Sequence, residues 1–264
     1  NALKDIDNNF LYMEKKPLAG LDKNYLGTVA KENIYIYPPG VPVLKKGDIM
    51  EKRHFDVLDE YIKKGKKVYG LMGKIYYVMG KSASGKDTIF NRLHDECPRT
   101  KKIITYTTRP KRSEDVEGVS YHFVDESVIE DYRRQGKLIE MRTYNTVQGK
   151  WTYATIDDGS VHLESKNYLI IGTLESYKKI REYFGAENVV PIYIELGDGI
   201  RLQRAVNREM MEEKPNYAEH CRRYLADSED FSDARLEAAG ITKRYLNEDL
   251  NKCILEIKKD MGII

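Results

Sequence analysis

The run Gly80-Lys-Ser-Ala-Ser-Gly85-Lys86-Asp87-Thr88 follows directly on the apolar stretch Ile75–Met79 and leads into a helical pattern. A GxxxxGK loop set between a strand and a helix leaves few folds open. Its backbone N–H groups can converge on phosphate oxygens at a helix N-terminus, where the dipole also favours an anion. Lys86 adds a point charge able to reach the outer phosphates of a nucleotide. Gly80, Ser82, Ala83, Ser84, Gly85, Lys86 and Thr88 are therefore candidate phosphate-binding residues. Asp87 stands where such loops normally carry a Ser or Thr that holds Mg²⁺. A carboxylate beside phosphates repels them unless a metal lies between, so Asp87 either ligates Mg²⁺ itself, as a hard oxygen ligand does, or weakens ATP binding.

Downstream, short apolar runs alternate with helical stretches. Strands are expected over Lys74–Met79, Lys102–Tyr106, Lys137–Glu140, Tyr168–Ile171, Val189–Glu195 and Lys243–Leu246, with helices over Asp87–His94 and Glu248–Lys259. Strands spaced by helices imply an α/β fold of the P-loop NTPase type, its mostly parallel sheet covered by helices on both faces. An earlier segment reads differently: a short strand carrying Ile34 and Ile36, a Pro-Gly turn, a helix over Asp56–Lys64 ended at Gly65, and a basic linker over Lys63–Lys67. The expected division is 1–70 and 71–264.

A second constellation follows about twenty residues after the loop: Thr105-Tyr-Thr-Thr-Arg109-Pro-Lys-Arg112-Ser-Glu-Asp-Val-Glu-Gly118-Val-Ser-Tyr121-His-Phe-Val124. Arg109 and Arg112 can clamp an acceptor phosphate with forked donors. Tyr121 can add a hydroxyl to it, and Gly118 permits the tight turn between them. The run resembles the TTRxPRxGExxGxDYxFV signature of guanylate kinases, and the resemblance extends over about Lys74 to Ile264. It implies an inserted monophosphate-binding subdomain over about 105–160 and a helical lid over about 197–225, with ATP and Mg²⁺ required and GMP as acceptor.

Glu140 falls where the family has the glutamate that accepts from guanine's N1–H and amino group, and Thr105 where it has a base-contacting Ser or Thr. Tyr153 and Thr155 match its tyrosine–glycine–Ser/Thr element, with Ala154 replacing the glycine. Arg201, Arg204 and Arg208, then Arg222 and Arg223, resemble the lid arginines of the LxxRLxxRG and IxxRL segments. Arg204, Arg208 and Arg223 are the best matches, with Arg222 an alternative register. Arginines brought in on closure would neutralise the transferring phosphoryl group, where most of the catalysis in such a reaction lies. Asn247 fits the family's adenine-side asparagine. The resemblance breaks before the lid, where Ile171 and Thr173 stand in place of the acids of an LDID-type run. Either Asp87 has taken over the metal and activity survives, or the domain only binds nucleotide.

The chain has 264 residues, and 44 Lys+Arg against 42 Asp+Glu make broad electrostatic binding to nucleic acid a poor reading. No window approaches ~18 consecutive apolar residues, so no membrane span is expected, and no secretory signal opens the chain. Cys97, Cys221 and Cys253 form no even framework, which suits a reducing cytoplasm. The five histidines show no metal-binding spacing. The start at Asn1-Ala2, without a methionine, reads as a fragment of something longer. Residues from about 24 to 70, with Tyr37-Pro-Pro-Gly-Val-Pro-Val-Leu-Lys-Lys-Gly-Asp48, resemble the C-terminal region of Orn/Lys/Arg decarboxylases and their YPPGxPxxxxGE run. That resemblance implies a pyridoxal-phosphate enzyme upstream, while decarboxylation by this chain itself is not expected. The sequence thus points to an ATP- and Mg²⁺-dependent nucleoside monophosphate kinase. Its rivals are a catalytically silent nucleotide-binding module attached to a decarboxylase and a kinase for a non-nucleotide phosphate ester.

Overall fold

The computed structural model describes residues 14–17, 33–36, 43–45, 48–49, 51–64, 68–97, 100–146, 149–163, 166–213 and 215–263. Much of the decarboxylase-like segment, including 37–42, lies outside them. Among the described residues up to Met72, β1 (Glu14–Pro17), β2 (Asn33–Ile36) and β3 (Val68–Met72) form an antiparallel sheet in the order β1-β3-β2, and α1 spans Lys52–Lys63. The helix begins four residues before the expected Asp56. β3 was not anticipated from the sequence. It carries the pairing to both other strands, so this sheet runs across the expected boundary at residue 70.

The central sheet is parallel. β4 (Ile75–Met79), β5 (Thr100–Lys102), β10 (Asn167–Ile171), β11 (Val189–Glu195) and β12 (Arg244–Leu246) lie in the order β12-β11-β4-β10-β5. All five residues of β4 are buried, as a middle strand covered on both faces must be. Its side chains alternate between two cores. Ile75, Tyr77 and Met79 pack with Tyr168, Ile170 and Tyr193 against Leu174, Tyr177 and Ile180 of α4 (Leu174–Phe184). Tyr76 and Val78 pack with Leu169, Ile192 and Ile194 against α2 (Lys86–Glu96) and α8 (Leu250–Asp260). Local signals fix the helix starts: Thr173 accepts the Ser176 N–H at the head of α4, and Asp249 accepts the N–H groups of Asn251 and Lys252 at the head of α8.

The expected strand over Lys102–Tyr106 is two strands. β5 ends at Lys102 in the parallel sheet, and β6 (Tyr106–Thr107) belongs to a second, four-stranded sheet with β7 (His122–Phe123), β8 (Leu138–Thr146) and β9 (Gly149–Ile156), in the order β7-β6-β9-β8. The apolar run is continuous because Ile103 and Tyr106 are both buried, in different cores. Ile129 of α3 (Glu126–Arg134) covers this smaller sheet with Tyr106, Ala154 and Ile156. The lid region consists of α5 (Asp198–Glu209) and α6 (Tyr217–Asp230), followed by the short α7 (Asp233–Ala238). Among the described residues, no helix is long and apolar enough to cross a membrane.

Leu169 is fully buried in the core between the parallel sheet, α2 and α8. Leu169→Ala is expected to cost about 2–5 kcal/mol of unfolding free energy, read from the denaturation midpoint at an unchanged denaturant slope.

Candidate active site

The loop leaving β4 is shaped by two close approaches. A Cβ on Gly80 would lie 2.5 Å from the Ile194 carbonyl oxygen, and one on Gly85 would lie 2.3 Å from Asn247 Nδ2. Gly85 also takes φ +88 where it starts α2, and Ala83 takes φ +61. Left-handed residues alternating with ordinary ones are how backbone nests turn successive N–H groups inward. Ser84 is buried, and its carbonyl accepts from Asn247 Nδ2 at 2.8 Å. Asn247 therefore braces the loop from below. It is itself buried. Lys86 Nζ lies 3.5 Å from Asp87 Oδ2, and the Asp87 side chain is 78% exposed, as is Thr88 in kind.

One buried cation ties this loop to the lid. Arg201 is 1% exposed. Its guanidinium donates to the Ser82 carbonyl (3.0 Å) and to Asp198 Oδ1 (2.6 Å), and lies 3.9 Å from Asp227 Oδ2 and 4.9 Å from the Tyr224 ring centroid. Asp227 Oδ2 in turn accepts the Ser82 N–H at 2.6 Å, so a carboxylate of α6 already sits on one of the loop's anion-seeking donors. Arg204, on the neighbouring helical stripe, is exposed and places Nη1 3.7 Å from the Cβ position of Gly85. Arg208, one turn on, is also exposed, and among the described residues neither makes an ion pair. Arg223 and Arg222 both donate to Glu219 at 2.8 Å on an exposed face of α6. Arg223 thus lies one turn from Asp227, with its Nε on Glu219.

The second sheet assembles the acceptor-side residues. Arg109 is buried, donating to Asp115 Oδ2 (2.8 Å) and the Pro110 carbonyl (2.9 Å), with Tyr121 and Phe123 rings each 5.5 Å from its guanidinium. Burial alone would raise the Asp115 carboxyl; the Arg112 backbone N–H and the Arg109 guanidinium outweigh it and hold it below the ordinary range. Burial pushes the Tyr121 hydroxyl up, so it stays a donor, and the charge of Asp87 adds to that shift. Arg112 is exposed, with its backbone N–H on Asp115. Tyr153 packs edge-on against Tyr121 (5.7 Å) and Tyr144 (5.9 Å). Thr105 precedes β6, its carbonyl accepting the His122 N–H (2.9 Å), and among the described residues its side chain bonds neither Glu140 nor Thr155.

Glu140 and Thr155 face each other across the β8–β9 ladder, and Thr155 Oγ1 donates to Glu140 Oε1 at 2.8 Å. Arg142, two residues along the same strand face, was not foreseen. Its Nε donates to Glu140 Oε2 (3.0 Å), its Nη2 to Oε1 (3.4 Å) and its Nη1 to Thr173 Oγ1 (3.1 Å). The place where the sequence lacks two acids is therefore met by a cation. Among the described residues no group of three or more His, Cys, Asp or Glu could hold a metal. Magnesium takes one or two carboxylates together with phosphates and water, so Asp87 beside the loop fits as its protein ligand.

Arg201→Ala removes a buried cation whose partner Asp198 remains 54% exposed. A loss on the order of 2–3 kcal/mol is expected, below the ~3–5 of a wholly buried pair, with the thermal midpoint as readout. The paired guanidinium of Arg222, with that of Arg223, holds the Glu219 carboxyl down from 4.5 to about 2. A depressed carboxyl adds stability above its unfolded value and loses it as pH falls through the folded one. Between pH 4.5 and 2 the midpoint should therefore fall more steeply for the wild type than for Glu219→Gln.

Known proteins bear on this geometry. The family model of guanylate kinase matches residues 72–232. The guanylate kinase of Mycobacterium tuberculosis (strain CDC 1551 / Oshkosh) is 35% identical over 69 residues, 26% of this chain and 33% of that protein. That of Neisseria gonorrhoeae (strain ATCC 700825 / FA 1090) is 26% identical over 154 residues, 56% of this chain and 73% of that protein. The chain thus spans a third of the mycobacterial relative's length and most of the neisserial one's. The crystal structure of guanylate kinase from Anaplasma phagocytophilum superposes with a TM-score of 0.52 at 19% identity, covering 72% of this chain and 85% of that chain. With its loop, acceptor sheet and two-helix lid in the matched region, the chain belongs to the guanylate kinase family.

Proposed function

We propose that this domain transfers the γ-phosphoryl group of ATP to the phosphate of a nucleoside monophosphate, with GMP the favoured acceptor. The observation that carries this reading is that one domain holds two anion-binding constellations: the Gly80–Lys86 loop, in which Ala83 and Gly85 take left-handed φ, and Arg109, whose guanidinium lies 5.5 Å from the Tyr121 ring. An acceptor phosphate held by Arg109, Arg112 and Tyr121 would present an oxygen to the γ-phosphorus. A new P–O bond forms there, the bond to the β-phosphate oxygen breaks, and ADP leaves. Lys86 and the loop N–H groups hold the outer phosphates, and Arg204 and Arg208 neutralise charge on the transferring group. Asp87 would hold magnesium, which when bound would supply further charge neutralisation. On the base side Glu140, an acceptor-only group, reads a donor edge, with Thr155 fixing its orientation.

The Asp227 carboxylate on the Ser82 N–H and the absent acids at Ile171 and Thr173 favour a second reading, a domain that binds nucleotide without turnover. An ADP-release assay with ATP, Mg²⁺ and each of GMP, AMP, UMP and CMP separates the two. GMP-dependent turnover that falls about a hundredfold or more in Lys86→Ala is the expected result. Nucleotide binding without turnover in the wild type would decide for the silent domain.

A further inference from the structure

We propose that Arg142 is a specificity-determining residue of the acceptor site, occupying on Glu140 the place that a guanine donor edge would take. The inference rests on the reading of Glu140 as the carboxylate facing the acceptor base.

A carboxylate offers about four lone-pair sites and no donor. Glu140 uses one on Thr155 Oγ1 and two on Arg142 Nε and Nη2. Those two guanidinium donors are adjacent and point the same way, as the N1–H and amino group of guanine do. The Glu140 side chain is 3% exposed and that of Arg142 20%, so the guanidinium is the more accessible of the pair. On its far side Arg142 is anchored to Thr173 Oγ1, at the head of α4. A guanine entering this site has to exchange two charge-assisted bonds already made for two of its own. The advantage of its amino group is largely cancelled, and the site should distinguish guanine poorly from hypoxanthine, which lacks that group. Remove the guanidinium, and the amino group gains a buried carboxylate with no competing donor.

Trp151, the single tryptophan, stands opposite Tyr144 in the β8–β9 ladder, two residues from Tyr153 on the same face, and reports binding by its fluorescence. Wild type, Arg142→Ala and Arg142→Ala/Glu140→Gln are titrated with GMP and IMP. The wild type is expected to prefer GMP by only a fewfold. In Arg142→Ala the preference should grow by about tenfold or more, the size of one hydrogen bond to a charged acceptor, and it should collapse again in the double variant. Arg142→Gln, which keeps one neutral donor on Glu140, should show a smaller rise and carries the test if the alanine variant does not fold. Binding of both nucleotides with an unchanged ratio in the Ala and Gln variants overturns the role of Arg142 and leaves the acceptor assignment standing. Failure of every variant to bind either monophosphate, while ADP still binds, overturns the acceptor assignment and this proposal together.

Discussion

A guanidinium cannot give up its proton, so burying one obliges the surrounding fold to supply acceptors and counter-charge. Arg201 meets that demand with Asp198 on its own helix, the Ser82 carbonyl of the loop and the nearby Asp227 of α6. Three separate stretches of chain are thereby held around one cation. The same contact decides what the lid offers to the cleft. With Arg201, Ala205 and Glu209 forming the buried stripe of α5, Arg204 and Arg208 necessarily fall on the adjoining, exposed stripe, and Arg204 lands beside Gly85. The lid's outward cations are a geometric consequence of the inward one.

The acceptor wall obeys the same rule. Arg109 and Glu140, the two buried charges that would grip an acceptor, each hold an internal partner: Asp115 for the first, Arg142 for the second. Asp227 on the Ser82 N–H completes the pattern on the loop side. On the proposed reading, each of these recognition groups already has an internal partner. A ligand gains only the difference between its own bonds and the internal ones it replaces, which is small for charged pairs of similar geometry. Binding strength then depends on which internal partner is most easily released. Asp115 has a second anchor in the Arg112 N–H, Arg142 one in Thr173, and Asp227 a longer one in Arg201 at 3.9 Å.

Much of this was legible in the sequence, for identifiable reasons. β4, β10, β11, α2 and α8 are signalled by apolar runs or periodicity long enough to bury a face, and the loop by its spacing. β5 and β6 were merged because burial is continuous across a change of sheet, which hydropathy does not register. β3 escaped notice beside a basic stretch that looked like linker. Of the residues given by motif, Glu140 and Thr155 are bonded to each other, Asn247 is bonded to the loop at Ser84, and Arg223 is paired with Glu219. The partners did not come from motifs at all. Arg142 had a readable signal, since a cation two places along a strand from a buried acid shares its face. Asp227 had none, because its contact with Ser82 spans 145 positions of chain and depends on how α6 docks.

The position of Thr173 draws these strands together. It caps α4, its hydroxyl accepts from Arg142, and its carbonyl accepts from the Tyr77 hydroxyl at 3.1 Å. Tyr77 belongs to β4, the strand that delivers the phosphate loop, and Arg142 belongs to β8, the strand that carries Glu140. One chain of hydrogen bonds therefore ties β8 to β4 through Thr173. A carboxylate at position 173 would bind Arg142 far more strongly and draw it off Glu140, freeing the base-reading group and adding negative charge next to the phosphates. A hydroxyl there is too weak an acceptor to do so. A hydroxyl rather than an acid at position 173 and the pairing of Arg142 with Glu140 therefore go together.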